Sequence, residues 1–460
     1  MRGGKSLLVL LVLALGLGAY IYFVEAKRDL ADPSMKKEKI FAIDTSKVEE
    51  VEVKAASGEV TRLKKNGTTW QITAPSTMEA DQSEVSTLLT TLESLEIQRT
   101  LDEKPASVKE FELDPPRLAV GVRLTGETAM RRVYIGSKTP TGADLYGMVE
   151  GQPKLILVSS YVDDQLNRTP FSFREKSVLK FPRDGVDALT IEAAGSPGMT
   201  LSRKGNDWRF LKPVDAKADF GSVDGVISKI AQAKMKAIVA PEAGKPEAEL
   251  TPADLKKYGF DKPQAVATIG AGSTRATLAV GSKVDDTTLY ARDLSRPMVF
   301  TVESSLLEEL KRKPDDLRVK DVFEFRSFTA LGVDFTYGGQ TYTFEKQKAA
   351  SEQQSTTAEV WRLTKPAVKD VDQTKITDLL TTISNLRADT FTDKGATSGE
   401  ELTVTARHGE AASPAADRVV LRKSGAVVHA IRTGEPGAAV VPAADFDKAI
   451  ALLKELTGAK

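Results

Sequence analysis

The chain opens on an unbroken apolar run and then settles into short alternating segments punctuated by amphipathic helical stretches. From Ser6 to Val24 there are nineteen residues without a charge, which at about 1.5 Å rise per residue matches a hydrocarbon layer of about 30 Å. Tyr20, Tyr22 and Phe23 cluster at the far end of this run, where aromatic rings favour the headgroup boundary, and Arg2 and Lys5 flank the near end. The pattern predicts an N-terminal transmembrane helix within a membrane anchor at 1–25, followed by a juxtamembrane linker at 26–37. The alternative is a cleaved signal peptide ending near Leu17 and Ala19, but the apolar run continues past Ala19 and exceeds a signal core of about 7–15 residues. Lys27, Arg28, Lys36, Lys37 and Lys39 outnumber the two basic residues at the start, so a literal positive-inside count leaves the body in the cytoplasm. A short basic start running straight into an apolar stretch nevertheless reads as an export signal, and Glu25, Asp29 and Asp32 dilute the second cluster. The expected orientation is N-terminus in and body out.

Beyond residue 37 the periodicity changes to that of strands. Val51-Glu-Val53, Val60-Thr-Arg-Leu63 and Trp70-Gln-Ile72 alternate, with turns at Ser57-Gly58 and Asn66-Gly67, and predict a meander. Asp81-Gln-Ser-Glu84 fits a capping box that opens a helix carrying Val85, Leu88, Leu89, Leu92 and Leu95 at helical spacing. Strands follow near 119–124, 132–135 and 155–158, then a short helix near 161–166. Strands, helix, strands, helix is the order of an antiparallel sheet covered by helices, an α+β fold.

This pattern recurs. Each of the three tryptophans stands in one setting, Trp70-Gln-Ile-Thr-Ala-Pro75, Trp208-Arg-Phe-Leu-Lys-Pro213 and Trp361-Arg-Leu-Thr-Lys-Pro366. Eleven residues on comes Asp81, Asp219 or Asp372, and fifteen on comes Val85, Val223 or Ile376. The helical stripe returns as Val223, Val226, Ile227 and Ile230, and as Ile376, Leu379, Leu380 and Ile383. Phe111-Glu-Leu-Asp-Pro-Pro116 answers Tyr258-Gly-Phe-Asp-Lys-Pro263, and Ile135-Gly-Ser-Lys138 with Leu145-Tyr146 answers Val280-Gly-Ser-Lys283 with Leu289-Tyr290. A third block beginning at Pro170 aligns without gaps on one beginning at Pro314, which matches Arg174 with Arg318 and Lys176 with Lys320. A period of roughly 140–150 residues is too long for a solenoid, so each copy is expected to be a domain with its own core. The repeat units are drawn at 38–181, 182–325 and 326–460. The third lacks the Asp-x-Pro block between Thr390 and Glu400 and is read as shortened. The segments 241–252 and 349–358 read as solvated loops.

Composition narrows the function classes. Lys plus Arg and Asp plus Glu both total 64, so no net field draws the body to nucleic acid. Without cysteine there is no disulfide, thiolate nucleophile or thiolate metal site. His408 and His429 are the two histidines, both in stretches reading as strands, and a histidine-rich metal site is excluded by count. No Walker loop, Gly-x-Ser-x-Gly elbow or His-Glu-x-x-His helix occurs.

The repeated residues have plain structural readings beside functional ones. Asp81, Asp219 and Asp372 suit helix caps as well as ligands, and the tryptophans suit cores as well as carbohydrate or lipid platforms. Asp114 and Asp261 are expected to shape turns. Gly-Ser-Lys at 136–138 and 281–283 reads as a turn rather than a phosphate cradle. Arg174 and Arg318 fit either a partner contact or an ion pair tying one unit to the next. No catalytic, cofactor-binding or metal-binding residue is assigned.

Together, the tryptophan-to-proline strand exit, the Ala-Asp helix start, Phe-x-Leu-Asp-Pro-Pro and Ile-Gly-Ser-Lys resemble a bacterial family of uncharacterised membrane-anchored repeat proteins encoded beside gliding-motility-type ABC transporters. The match spans nearly all of 38–460 and is weakest in the third copy. The resemblance implies a noncatalytic component of the cell envelope, single-pass in the bacterial inner (cytoplasmic) membrane with a periplasmic or extracytoplasmic body. The implied partner is an ABC transporter permease or extracytoplasmic subunit, and no cofactor is implied. An envelope lipid- or glycan-binding module is the second expectation; it would need a continuous apolar groove or an exposed aromatic row, and exposed tryptophans would favour it. A carboxylate hydrolase is the third and would need two of the acids within about 10 Å in a cleft.

Overall fold

The computed structural model describes residues 37–240, 250–348 and 359–459. The anchor at Ser6 to Val24 and most of the two solvated loops lie outside the described residues, among which no helix is long and apolar enough to cross a membrane. Two compact units emerge, 1–176 and 177–460. The first holds one repeat and the second holds two.

The first repeat contains β1 (Val48–Lys54), β2 (Val60–Asn66), β3 (Thr69–Ala74), β4 (Met78–Glu79), β5 (Arg99–Asp102), β6 (Leu118–Leu124), β7 (Arg131–Lys138), β8 (Asp144–Val149) and β9 (Leu155–Ser159). They form one antiparallel sheet ordered β4-β3-β2-β1-β6-β7-β8-β9-β5. Two meanders meet along β1 and β6. The helix α1 (Gln82–Ser94) follows β4 at one edge, and the chain after it returns as β5 at the opposite edge. The same nine-strand order is built from strands between Val186 and Glu303 and again between Ala330 and Val441. The protein is therefore α+β, with three antiparallel sheets packed with helices in tandem.

The alternation along the strands is what buries one face. Val48, Val51 and Val53 of β1 and Leu63 and Ile72 beside them are fully buried, and Val85, Leu88, Leu89 and Leu92 of α1 join the same apolar cluster. Each such side chain withdrawn from water contributes roughly 1.5–3 kcal/mol. The corresponding stripe Ile376, Leu379, Leu380 and Ile383 joins a cluster in the third repeat. Tight hairpins at Gly58 and Gly67, with φ of 87° and 61°, connect the first three strands, where a left-handed conformation favours glycine.

The aspartate eleven residues after each tryptophan caps the helix in all three copies. Asp81 accepts from the amides of Ser83 and Glu84, Asp219 from Ser222, and Asp372 from Thr374 and Lys375. The expected capping box is only half present in the first copy. Glu84 pairs with Arg168 and lies 3.8 Å from Lys176, while the Asp81 amide donates to the carbonyl of Phe173 at 2.8 Å. The carbonyl at the end of the short helix Pro170–Phe173 has taken the donor that Glu84 would otherwise have satisfied. Burial pushes the Asp81 carboxyl up, but hydrogen bonds from Ser83 and Glu84 outweigh it and hold the group below the usual aspartate range. A depressed native value means stabilisation that is complete above the unfolded value of about 3.9 and lost as pH falls through the native one. Asp81→Ala should cost about 1 kcal/mol at neutral pH. Urea unfolding should show the gap between variant and wild type closing below pH of about 4.

The Gly-Ser-Lys element differs from expectation. It is the bulged end of a strand rather than a turn, with pairing shifted between Ile135 and Lys138 and between Val280 and Lys283. A Cβ on Gly136 would stand 1.8 Å from the carbonyl oxygen of Phe111, and one on Gly281 would stand 2.2 Å from that of Tyr258. The Phe-x-Leu-Asp-Pro segment therefore crosses directly over this strand, and its first aromatic ring meets the tyrosine of the next strand: Phe111 with Tyr146 at 4.5 Å and Tyr258 with Tyr290 at 4.9 Å. The two motifs recur together because they are the two sides of one contact. The third repeat omits the crossing segment yet keeps all nine strands, so its shortening falls in a connection and not in the sheet. Gly281→Ala should destabilise the second unit by about 1–3 kcal/mol through forced displacement of the Tyr258 backbone, measured by the urea midpoint. An unchanged midpoint would contradict the close approach.

Candidate functional site at the junction of the second and third repeats

The block that begins at Pro314 joins the second repeat to the third. The helix Pro314–Leu317 ends at Arg318, which bridges to Ala218 while Asp219 donates to the carbonyl of Leu317 at 2.7 Å and Val319 to that of Lys217 at 3.2 Å. Two residues later the chain serves the other repeat. Asp321 bridges to Arg387, Val322 donates to the carbonyl of Leu386 at 3.0 Å, and Ala388 donates to that of Lys320 at 2.8 Å. In the first unit, Arg174 occupies the place of Arg318 and bridges to Ala80. The gapless alignment of this block thus reflects a segment that closes one repeat and opens the next.

Beside the junction lies a polar knot around Asp417, whose residue is 3% exposed. One of its oxygens accepts the amides of Glu324 at 2.6 Å and Phe325 at 3.1 Å, and the other accepts Arg432 Nη2 at 2.6 Å. Arg432 also contacts Glu324 at 2.8 Å, and Lys217 of the second repeat reaches the same Glu324 carboxylate. Burial pushes the Glu324 carboxyl up, but the hydrogen bond from Lys217 and the charge of Arg432 prevail and hold it below the ordinary glutamate value. His408 Nε2 lies 3.5 Å from Asp417 Oδ2.

Glu324, His408 and Asp417 bring three donor atoms within 4.8 Å of one another, a grouping the sequence did not announce because the residues are far apart along it. The donor set nonetheless suits a clamp better than a divalent cation. Both Asp417 oxygens already accept N–H groups, and the Arg432 guanidinium supplies the positive charge at that spot. An ion there would have to displace both.

Arg318 ties the repeats together, but not through the cross-repeat ion pair considered from sequence. Its guanidinium carbon stands 3.7 Å from the centre of the Phe391 ring in the third repeat, a cation–π stack. Its nearest carboxylate is that of Asp315, 3.9 Å away on its own helix.

The other repeated residues have structural positions. Trp70, Trp208 and Trp361 are 7%, 3% and 6% exposed, so these three rings are core residues of their repeats rather than surface platforms. Asp81, Asp219 and Asp372 each cap a helix of their own repeat. Asp114 sits in a turn and Asp261 in a bend. The histidines lie in strands Glu400–His408 and Val427–Arg432, as their surroundings in the sequence implied.

One structural pair was missed. Gln82 accepts the amide of Trp70 at 2.8 Å and donates to its carbonyl at 3.0 Å, and Gln373 does the same for Trp361 at 2.8 and 2.9 Å. The side-chain amide acts as a one-residue strand, which ties the helix start to the tryptophan in the first and third copies. The signal was a glutamine after the capping aspartate in two copies. Phe220 replaces it in the second copy, where Ala218 pairs with Trp208 in the sheet instead.

Comparison with protein families finds a domain of unknown function, DUF4340, at residues 70–213 and again at 208–406. The chain belongs to the DUF4340 family. The two matched stretches begin at Trp70 and Trp208, in the third strand of the first and second sheets; the first ends just past Trp208, and the second runs on past Trp361 to Ala406. A search of curated proteins finds no match.

Proposed function

We propose that this DUF4340 protein is a noncatalytic accessory or scaffold component of a bacterial cell envelope, working with an ABC-type transport system. In this reading Ser6 to Val24 anchors it in the inner membrane and the repeats lie on the extracytoplasmic side, in contact with a permease or extracytoplasmic subunit. The observation that supports the reading best is the structural use of the repeated residues. Capping aspartates, core tryptophans and crossing glycines recur because they build each sheet. Similar units on one tether suit a scaffold, since linked modules raise effective concentration without strong individual contacts.

The test is affinity purification of the full chain from membranes in mild detergent, with identification of what accompanies it. Co-purification of permease and ATPase subunits is the expected result. Recovery of the protein alone, from cells in which the transporter is present, would refute the transporter reading.

A further inference from the structure

The junction between the second and third repeats holds a charge that its neighbours do not satisfy. The Arg318 side chain is 10% exposed, and among the described residues its guanidinium makes no hydrogen bond. Asp315, the carboxylate it approaches to within 4 Å, is at 3.9 Å and is itself 48% exposed. One face of the guanidinium is occupied by Phe391. Burial lowers the affinity of this group for its proton, against the opposing charges of Asp315 and Glu435. A guanidinium offers five N–H donors in a planar fork, and those of Arg318 are not among the fully enclosed unpaired side-chain atoms, so they keep access to the cavity beside them. The fork matches a carboxylate two atoms at a time.

Arg318 lines a cavity of about 50 Å³ between the repeats, walled by Ala216, Val319, Phe391, Pro436, Ala438 and Ala439. A single water needs about 10–15 Å³ by the same measure, so the space suits a carboxylate on a short stem. The lining also includes the cations Lys217, Lys320 and Arg432 and the carboxylates Asp321 and Glu435. Lys217 and Arg432 are committed to Glu324, and Asp321 to Arg326 and Arg387. Two carboxylates in the lining oppose a dianion more than a monoanion. The apolar walls suit hydrocarbon next to the charge.

We propose that this cavity is a binding site for an aliphatic carboxylate, received by the Arg318 fork with its stem against Phe391, Val319 and the alanines. The carboxylate is carried by a free small acid or by an acidic side chain of a peptide, and the chemistry at Arg318 is the same. The proposal stands independently of the transporter assignment.

The test is saturation-transfer NMR on the full-length protein with propionate as probe. The propionate methyl should receive saturation from the protein, and the signal should fall at least fivefold in Arg318→Met and in Ala439→Leu. The second variant keeps the guanidinium and fills the cavity from its wall, so it decides the matter if the first disturbs folding. Arg62→Met, on the first sheet, should bind as wild type does. Competition by a blocked Ala-Glu dipeptide amide would identify a peptide side chain as a ligand source, and its failure to compete would identify a free acid. Absence of saturation transfer at tens of millimolar propionate, equal signals in wild type and both cavity variants, or displacement by equimolar inorganic phosphate would overturn the assignment.

Discussion

Asp417→Ala is expected to lower the stability of the second compact unit by about 3–5 kcal/mol, the range for removing one partner of a buried charged pair. The carboxylate is almost inaccessible and receives three donors: two amides where the chain enters the third repeat, and the guanidinium of Arg432. Removing it strands the two amides and leaves Arg432 only its contact with the half-exposed Glu324 carboxylate. Alanine at Glu324 should cost much less, because that carboxylate is 44% exposed and its loss leaves Arg432 still paired with Asp417. The ranking Asp417 far above Glu324, read from urea midpoints by circular dichroism, is the checkable outcome. A loss below about 1 kcal/mol at Asp417 would show that the junction is held by apolar contacts alone.

The second large effect concerns the indoles. Trp361→Ala should cost about 3–5 kcal/mol, the range for emptying a large aromatic site in a core. Trp361 belongs to the apolar cluster of the third repeat and Trp70 to that of the first, each largely withdrawn from solvent. Trp70→Ala and Trp208→Ala should lie in the same range, since all three side chains sit on equivalent strands. The measurement is chemical unfolding of each single variant, followed by far-UV circular dichroism. A tryptophan whose removal leaves stability within about 1 kcal/mol of wild type would be a surface residue with another task, and the platform reading would return for that repeat.

Much of a single repeat is legible in the sequence. Alternation at Val51, Val53, Leu63 and Ile72 has the period of a half-buried strand, and Val85, Leu88, Leu89 and Leu92 have that of a helix, so both elements follow from local pattern. The cap at Asp81 was equally local, because its partners are two and three residues away. The short edge strands β4 and β5, and β8 between its neighbours, were not visible as separate elements. Two of them are too brief to display a period. The Gly-Ser-Lys element was mistaken for a turn because its glycine answers to a carbonyl more than twenty residues away.

What the sequence determined by itself was the duplication: matching side chains at matching intervals cannot recur three times unless they serve one local design, and local designs are written in short-range chemistry. What only the tertiary structure decided was how the copies are fastened. Arg318 meets Phe391 and Asp417 meets Glu324 across 73 and 93 positions of chain, and a guanidinium can satisfy itself equally well on a carboxylate, an aromatic face or a ligand. The choice among these depends on which groups the folded sheets bring within reach and how much water they exclude, and neither quantity exists until the sheets have packed.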